Sequence, residues 1–189
     1  MPDTGGSKRK VLAIVSNYGV EQDELFVPLE HLRRRGAEVE VAAVSQEDVH
    51  TLVRDKEPGR TLPPDRTLKH VNPADYDLLL VPGGTLNADR LRTQEPAVEI
   101  VRAFAASGRP VAAICHGPWA LVEAGVVEGK RMTSYPSLKT DVRNAGAEWT
   151  DEPVVTDDGN GWMLITSRRP RDLDAFLREV DAALADPGR

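Results

Sequence analysis

Short apolar runs alternate with stretches of helical periodicity along most of the chain. Residues 11–15 are continuously apolar, and in 21–35 Leu25, Leu29 and Leu32 recur at helical spacing until Gly36 stops the pattern, so a strand precedes a helix. Residues 39–44 form a second β-branched run. The polar segment 45–69, rich in Pro, Asp and Arg, predicts an excursion with at most short strands. Residues 77–81 are apolar after Asp77 and close on Pro82-Gly83-Gly84, the pattern of a strand buried on both faces. Helical spacing returns in 98–106 through Val98, Val101, Phe104 and Ala105, yields to the apolar run 111–114, and resumes over 117–124 with Gly125 at its end. Beyond lie a short strand near 131–134, a helix near 138–144 and a hairpin of 154–156 with 162–166. A last amphipathic helix starts near Pro170 and uses Leu173, Phe176, Leu177 and Val180. Wholly apolar strands separated by helices imply an α/β three-layer sandwich, a mostly parallel sheet with helices on both faces. Ligands of such sheets bind beyond the carboxyl ends of the strands.

A chain of 189 residues suits one domain. The polar residues 1–8 read as a flexible N-terminal arm and 9–185 as the folded unit, since no linker, repeat or low-complexity tract marks a boundary. A formal charge of −6 gives no attraction to phosphate backbones or anionic membranes, so no direct nucleic-acid binding is expected. The basic run Arg33-Arg34-Arg35 reads as cations in a last helical turn, where they complement the macrodipole. No stretch approaches the ~20 apolar residues of a membrane span, and the apolar run after Lys8-Arg9-Lys10 is too short for a secretory leader. A single cysteine excludes an internal disulfide, a paired redox motif and a cysteine-rich zinc site, and points to a reducing compartment, the cytoplasm.

That cysteine, Cys115, stands between the apolar run 111–114 and the next helix, in Ala113-Ile-Cys-His-Gly-Pro118. A sharp strand-to-helix turn of this kind is a nucleophile elbow with sulfur in place of a serine oxygen; Gly117 permits a tight approach and Pro118 suits a first helical turn. A thiol facing a helix N-terminus is favoured as thiolate, the reactive form. Cys115 is therefore the candidate nucleophile of a Cys-dependent enzyme. His116 is the candidate general acid/base, although adjacency alone does not turn its ring toward the sulfur. Val81-Pro-Gly-Gly84 ends a buried strand with two glycines whose N–H groups can stabilise an oxyanion, or simply make a turn. Glu21, Asp23 and Glu24 open the first helix and complement its dipole; one of them, held neutral, can instead hydrogen-bond the thiol. His31, His50 and His70 share no ligand spacing, and neither a dinucleotide nor a P-loop glycine motif is present, so no metal and no cofactor is expected.

Taken together, Val81-Pro-Gly-Gly84, Ala113-Ile-Cys-His-Gly-Pro118, Thr133-Ser-Tyr-Pro136, Asn144-Ala-Gly-Ala-Glu-Trp149 and Leu164-Ile-Thr-Ser-Arg168 resemble the ThiJ/PfpI family. That family is the branch of the flavodoxin-like, class I glutamine amidotransferase-like folds that includes PfpI-type intracellular peptidases and the parkinsonism-associated deglycase. The resemblance spans residues 9–184 and is nearest the PfpI branch. It implies Cys115 as nucleophile, His116 as its acid/base partner and Glu24 as the carboxyl that hydrogen-bonds the thiol, because Glu24-Leu-Phe-Val-Pro28 matches the family's glutamate followed four residues later by proline. Gly84 and the His116 backbone would form the oxyanion hole, and Tyr135 would line the pocket. In PfpI-type oligomers an acidic residue after the Gly-Gly orients the histidine of a neighbouring subunit. The corresponding position is Asp89, preceded by Ala88 where the family more often has proline. At least a homodimer is implied.

The resemblance implies two enzymatic readings that share one step, addition of the thiolate to an electrophilic carbonyl. The leading one is a stress-related Cys hydrolase or lyase of the deglycase or glyoxalase type, acting on methylglyoxal or its adducts. The other is a PfpI-type peptidase acting on small peptides. A third reading is a non-catalytic oxidative-stress sensor: without a second cysteine, a sulfenic acid at Cys115 would progress to the sulfinic form or be capped by an external thiol.

Overall fold

A strand covered by helices on both sides must be apolar throughout, because successive side chains point to opposite faces. The structure, a computed structural model, describes residues 8–186; residues 1–7 of the expected arm lie outside the described residues. In chain order, β1 (Lys10–Ile14) and β2 (Tyr18–Glu21) precede α1 (Gln22–Arg34). Next come β3 (Glu38–Ala43), β4 (Val49–Val53), β5 (Glu57–Leu62) and β6 (Arg66–Thr67). β7 (Leu78–Val81) leads through α2 (Thr85–Leu91) and α3 (Glu95–Ala106) to β8 (Val111–Ile114) and α4 (Pro118–Ala124). Then follow β9 (Arg131–Met132), α5 (Lys139–Asn144), β10 (Glu148–Trp149), β11 (Val154–Asp157), β12 (Leu164–Ser167) and α6 (Leu173–Ala185).

The central sheet has the order β11-β12-β8-β7-β1-β3-β6 and is parallel except for β11, which runs antiparallel to β12. Val11, Ala13, Leu78, Leu80 and Ile114 pack on Leu25 and Leu29 of α1 and on Phe176 and Leu177 of α6. Leu12, Ile14, Leu79, Val81 and Ala113 pack on Val101 and Phe104 of α3 and on Leu121 of α4. These two cores, one on each face, make the three-layer, flavodoxin-like α/β sandwich that the apolar runs predict. His31, for which the sequence suggested no role, joins the layer edge: its Nε2 lies 2.9 Å from an Asp181 carboxylate oxygen, which also takes Arg35 Nε at 3.3 Å. Among the described residues no helix is long and apolar enough to cross a membrane.

Several elements lie outside the pattern. Glu21 ends strand β2 and is the N-cap of α1, and β2 pairs with β4, which pairs with β5, in a separate three-stranded sheet. The segment 45–69 thus carries a true hairpin, held by the backbone despite its polar side chains. α2 and β10 are seven and two residues long, too short to show a period. The chain moves from β1 to β3 on one side and from β7 to β8 on the other, so the adjacent strands β1 and β7 mark the point where the winding reverses. A crevice opens there at the strands' carboxyl ends.

Phe176 is fully buried and joins α6 to the sheet. Phe176→Ala is expected to destabilise the fold by about 3–5 kcal/mol, read as a lowered urea midpoint. An unchanged midpoint would mean that α6 does not close this face.

Candidate active site

Cys115 follows β8 directly and has φ +64°, a left-handed conformation that its β-carbon disfavours. Its N–H donates to the Ser167 carbonyl at 2.9 Å, its carbonyl accepts from Tyr135 N–H at 2.8 Å, and Gly117 N–H closes a turn on the Ile114 carbonyl at 2.9 Å. A β-carbon at Gly117 would strike the Val81 carbonyl. The strained turn is thus clamped between β12, the segment after β9 and the end of β7. It aims the sulfur into a cavity of about 300 Å³.

Glu21, Glu24, Arg54, Asp55, Gly84, Thr85, Cys115, His116, Tyr135, Arg169 and Pro170 line that cavity. Of the residues expected from the sequence it gathers Cys115, His116, Glu24, Gly84 and Tyr135. Asp89 is not among them; it lies exposed on α2.

Glu24 sits in the first turn of α1 and is fully buried. Its Oε2 accepts the Gly83 N–H at 2.7 Å, and its carboxyl meets the Cys115 thiol. Oε1 is buried with no donor facing it. Burial pushes Glu24 well above the usual carboxyl range, outweighing the Gly83 N–H and the thiol, which lower it. A proton on the carboxyl removes the buried charge and gives the donorless oxygen a bond to make. Burial also pushes the Cys115 thiol up, and a charged Glu24 would push it further, while the N–H groups of His116 and Gly84 directed at the sulfur pull it down. With Glu24 neutral, the repulsion is replaced by an O–H donor. Burial thus favours the neutral carboxyl, and a proton on Glu24 in turn favours charge on the sulfur.

Gly84 has φ +90°, and a β-carbon there would strike the Gly19 carbonyl and come within 2.5 Å of Glu21 N. Only glycine fits, and the fit is what brings its N–H to the sulfur.

His116 Nδ1 lies 3.2 Å from Cys115 Sγ. The ring stacks on Tyr135, centroids 4.7 Å apart, and meets Trp119 edge-on at 5.3 Å. On its far side Nε2 lies 3.4 Å from Thr85 Oγ1, which donates to Asp55 Oδ2 at 2.7 Å, while Thr85 N–H donates to Asp55 Oδ1 at 3.0 Å. Because the threonine proton is committed to Asp55, its oxygen accepts from Nε2–H. The tautomer assigned by this network leaves Nδ1 as the basic nitrogen facing the thiol. Burial lowers the His116 pKa, and the Asp55 charge partly restores it. The imidazole is neutral at pH 7 and can take the thiol proton.

Thr85, Asp55, Arg54 and Arg169 escaped the sequence reading. Arg54 and Asp55 both have positive φ at the tip of the β4–β5 hairpin, +56° and +58°, inside a segment whose polar composition gave no sign that it reaches the site. The Arg54 N–H donates to Glu21 Oε2 at 3.0 Å, so Glu21 anchors this tip and does not serve the helix dipole. The one available signal was Thr85 directly after Gly84. Among the described residues no group of three His, Cys, Asp or Glu side chains is arranged to hold a metal ion.

An open, mostly parallel sheet with a cysteine on a strained turn at a strand's carboxyl end defines a flavodoxin-like α/β protein with its cavity above the sheet. The profile of the DJ-1/PfpI family matches residues 9–183, and the chain belongs to that family. It is 42% identical over 170 residues to Deglycase PH1704 of Pyrococcus horikoshii, covering 90% of this chain and 96% of that protein. It is 38% identical over 171 residues to Protein/nucleic acid deglycase 2 of Escherichia coli, covering 90% and 95%. The crystal structure of Drosophila melanogaster DJ-1beta superposes with a TM-score of 0.82 at 32% identity, covering 95% of this chain and 91% of that one.

The raised Glu24 pKa has a measurable consequence. Between the unfolded value of 4.5 and the higher folded value, the folded state holds more protons than the unfolded one. Stability from this group is complete below the unfolded value and falls as pH rises through the window, by at most about 1.4 kcal/mol per pH unit. Urea unfolding of the wild type and Glu24→Gln should show the wild type losing stability relative to the variant as pH rises. A constant difference would contradict a proton on Glu24.

Proposed function

We propose that the chain is a Cys115-dependent enzyme of the deglycase or glyoxalase type that acts on methylglyoxal and its adducts. One observation carries the reading: Sγ at the elbow meets a neutral imidazole at 3.2 Å, a buried carboxyl and two backbone N–H groups in one cavity. The deglycase names of the relatives support it.

In this reading Cys115 adds to the aldehyde carbon of methylglyoxal as its proton passes to His116 Nδ1. A C–S bond forms and the carbonyl π pair moves to oxygen, which the N–H groups of Gly84 and His116 hold. His116 then returns its proton to that oxygen, giving a hemithioacetal. Transfer of the hydrogen from the former aldehyde carbon to the neighbouring ketone carbon, through an enediol, yields a lactoyl thioester. The aldehyde carbon is oxidised and the ketone carbon reduced, so no outside oxidant enters. Water then cleaves the thioester to lactate and restores the thiol. For a hemiaminal adduct the C–N bond breaks first, the hydroxyl proton passing to the departing amine, and the aldehyde so released enters the same sequence.

The proposal includes Asp55 and Thr85 as positioning residues that hold His116 within the subunit. It also includes a homo-oligomer. Leu86 and Tyr18 are exposed apolar side chains, and the Gly19 backbone lies against Leu86. A second copy covering this patch would direct Asp89 toward a neighbouring subunit.

Lactate formation from methylglyoxal, assayed beside cleavage of small peptides, tests the chemistry. The wild type should make lactate, and Cys115→Ser should lower the rate at least about a hundredfold. Peptide cleavage without lactate would transfer the site to the peptidase reading. Asp55→Asn removes the charge that raises the His116 pKa, so the acid limb of the pH–rate profile should move to lower pH while the maximal rate falls. A limb that stays in place would remove Asp55 from the relay.

A further inference from the structure

Arg169 and its neighbour Arg168 differ in a way that bears on the substrate. Arg168 is neutralised on two sides, by Asp172 at 2.9 Å and by Asp151 at 2.9 Å. Arg169 has no ion pair or side-chain hydrogen bond among the described residues, and its Nε is buried without an acceptor. Its guanidinium charge is thus left without a carboxylate to neutralise it, whereas that of Arg168 is met twice.

The side chain reaches the site. Arg169 lines the same cavity as Cys115, and its guanidinium lies over the Tyr135 ring at 5.8 Å, the ring that stacks on His116. The backbone fixes it there, since Arg169 follows two residues after Ser167, whose carbonyl accepts the Cys115 N–H. The carboxyl groups in the cavity are otherwise engaged. Asp55 holds Thr85, Glu21 holds the Arg54 N–H, and Glu24 holds the Gly83 N–H. Arg54, the other cation lining the cavity, sits on an exposed hairpin tip and lacks this buried, unfilled donor.

We propose that Arg169 is a specificity residue that binds an anionic group, carboxylate or phosphate, on the substrate whose carbonyl reacts at Cys115. The inference rests on Cys115 being the nucleophile of the reaction proposed above, and it narrows the substrate class to α-oxoaldehyde adducts of molecules carrying an anion near the modified atom. Arginine suits the task because its planar donors match two oxygens of either anion at once.

Alkylation of Cys115 tests this without reference to turnover. Iodoacetate and iodoacetamide form the same C–S bond with loss of iodide and differ in one carboxylate. The ratio of their second-order rate constants, iodoacetate over iodoacetamide, should exceed that of glutathione by about tenfold, a gain typical of one charge-assisted pairing. It should fall to the glutathione level in Arg169→Gln and recover in part in Arg169→Lys. Lactate and inorganic phosphate, compared at matched ionic strength, identify the anion: the one that protects the wild-type thiol more strongly against iodoacetamide, and fails to protect Arg169→Gln, is the preferred group. A wild-type ratio equal to that of glutathione, or one unchanged in Arg169→Gln, overturns the role of Arg169 and leaves the nucleophile standing. A thiol inert to both reagents overturns the nucleophile and the anion site with it.

Discussion

The contact between the Glu24 carboxyl and the Cys115 thiol is the constraint on which the site depends. It requires the start of α1, the end of β7 and the elbow after β8 to meet around one buried carboxyl. Gly83 supplies the N–H that anchors Oε2, Gly84 lies flat against β2 because no side chain fits there, and Gly117 lets the elbow close on Val81. The left-handed conformation of Cys115 costs on the order of 1–3 kcal/mol. Backbone bonds to Ser167 and Tyr135 hold it in place. Loss of the carboxyl would leave the thiol with the His116 ring and the Gly84 and His116 N–H groups as its polar neighbours.

Burial disfavours charge on each of the three titratable groups that meet at the turn. It raises the pKa of Glu24 and of Cys115 and lowers that of His116. The groups that would meet charge on the sulfur or on a bound oxygen are already oriented: the Glu24 carboxyl, the Gly84 and His116 N–H groups, and an imidazole whose tautomer is set by Thr85. Preorganised donors of this kind need no rearrangement when an oxyanion forms. Fixed charge lies around them, Asp55 behind the histidine and Arg169 across the Tyr135 ring.

The parts of the fold legible in the sequence are those with an unambiguous period. Leu78 to Val81 and Val111 to Ile114 read as buried strands because both of their faces are covered, and Leu173, Phe176, Leu177 and Val180 mark one face of α6. Cys115, His116 and Gly84 stood out through local motifs at element ends, whereas Glu24 was singled out from Glu21 and Asp23 only by the family resemblance. The hairpin carrying Asp55 was not, because its second strand β5 is polar and largely exposed and shows no period, although β4 buries Val49 and Leu52. Arg169 was hidden by adjacency to Arg168, since two arginines in a row do not reveal which is paired. Buried Lys130, bonded to the Trp162 carbonyl at 2.7 Å and 3.5 Å from Asp157, was equally silent, for a lysine in sequence reads as surface.

The protonation state of Glu24 is the central claim, and isotope-edited infrared spectroscopy reads it directly. With carbon-13 in the glutamate carboxyls, the difference spectrum of the wild type minus Glu24→Gln at pH 7 isolates this one group. The account predicts the carbonyl stretch of a neutral carboxylic acid, which shifts when Cys115 is replaced by serine and the partner of its proton changes. The paired stretches of an ionised carboxylate at pH 7 would contradict it.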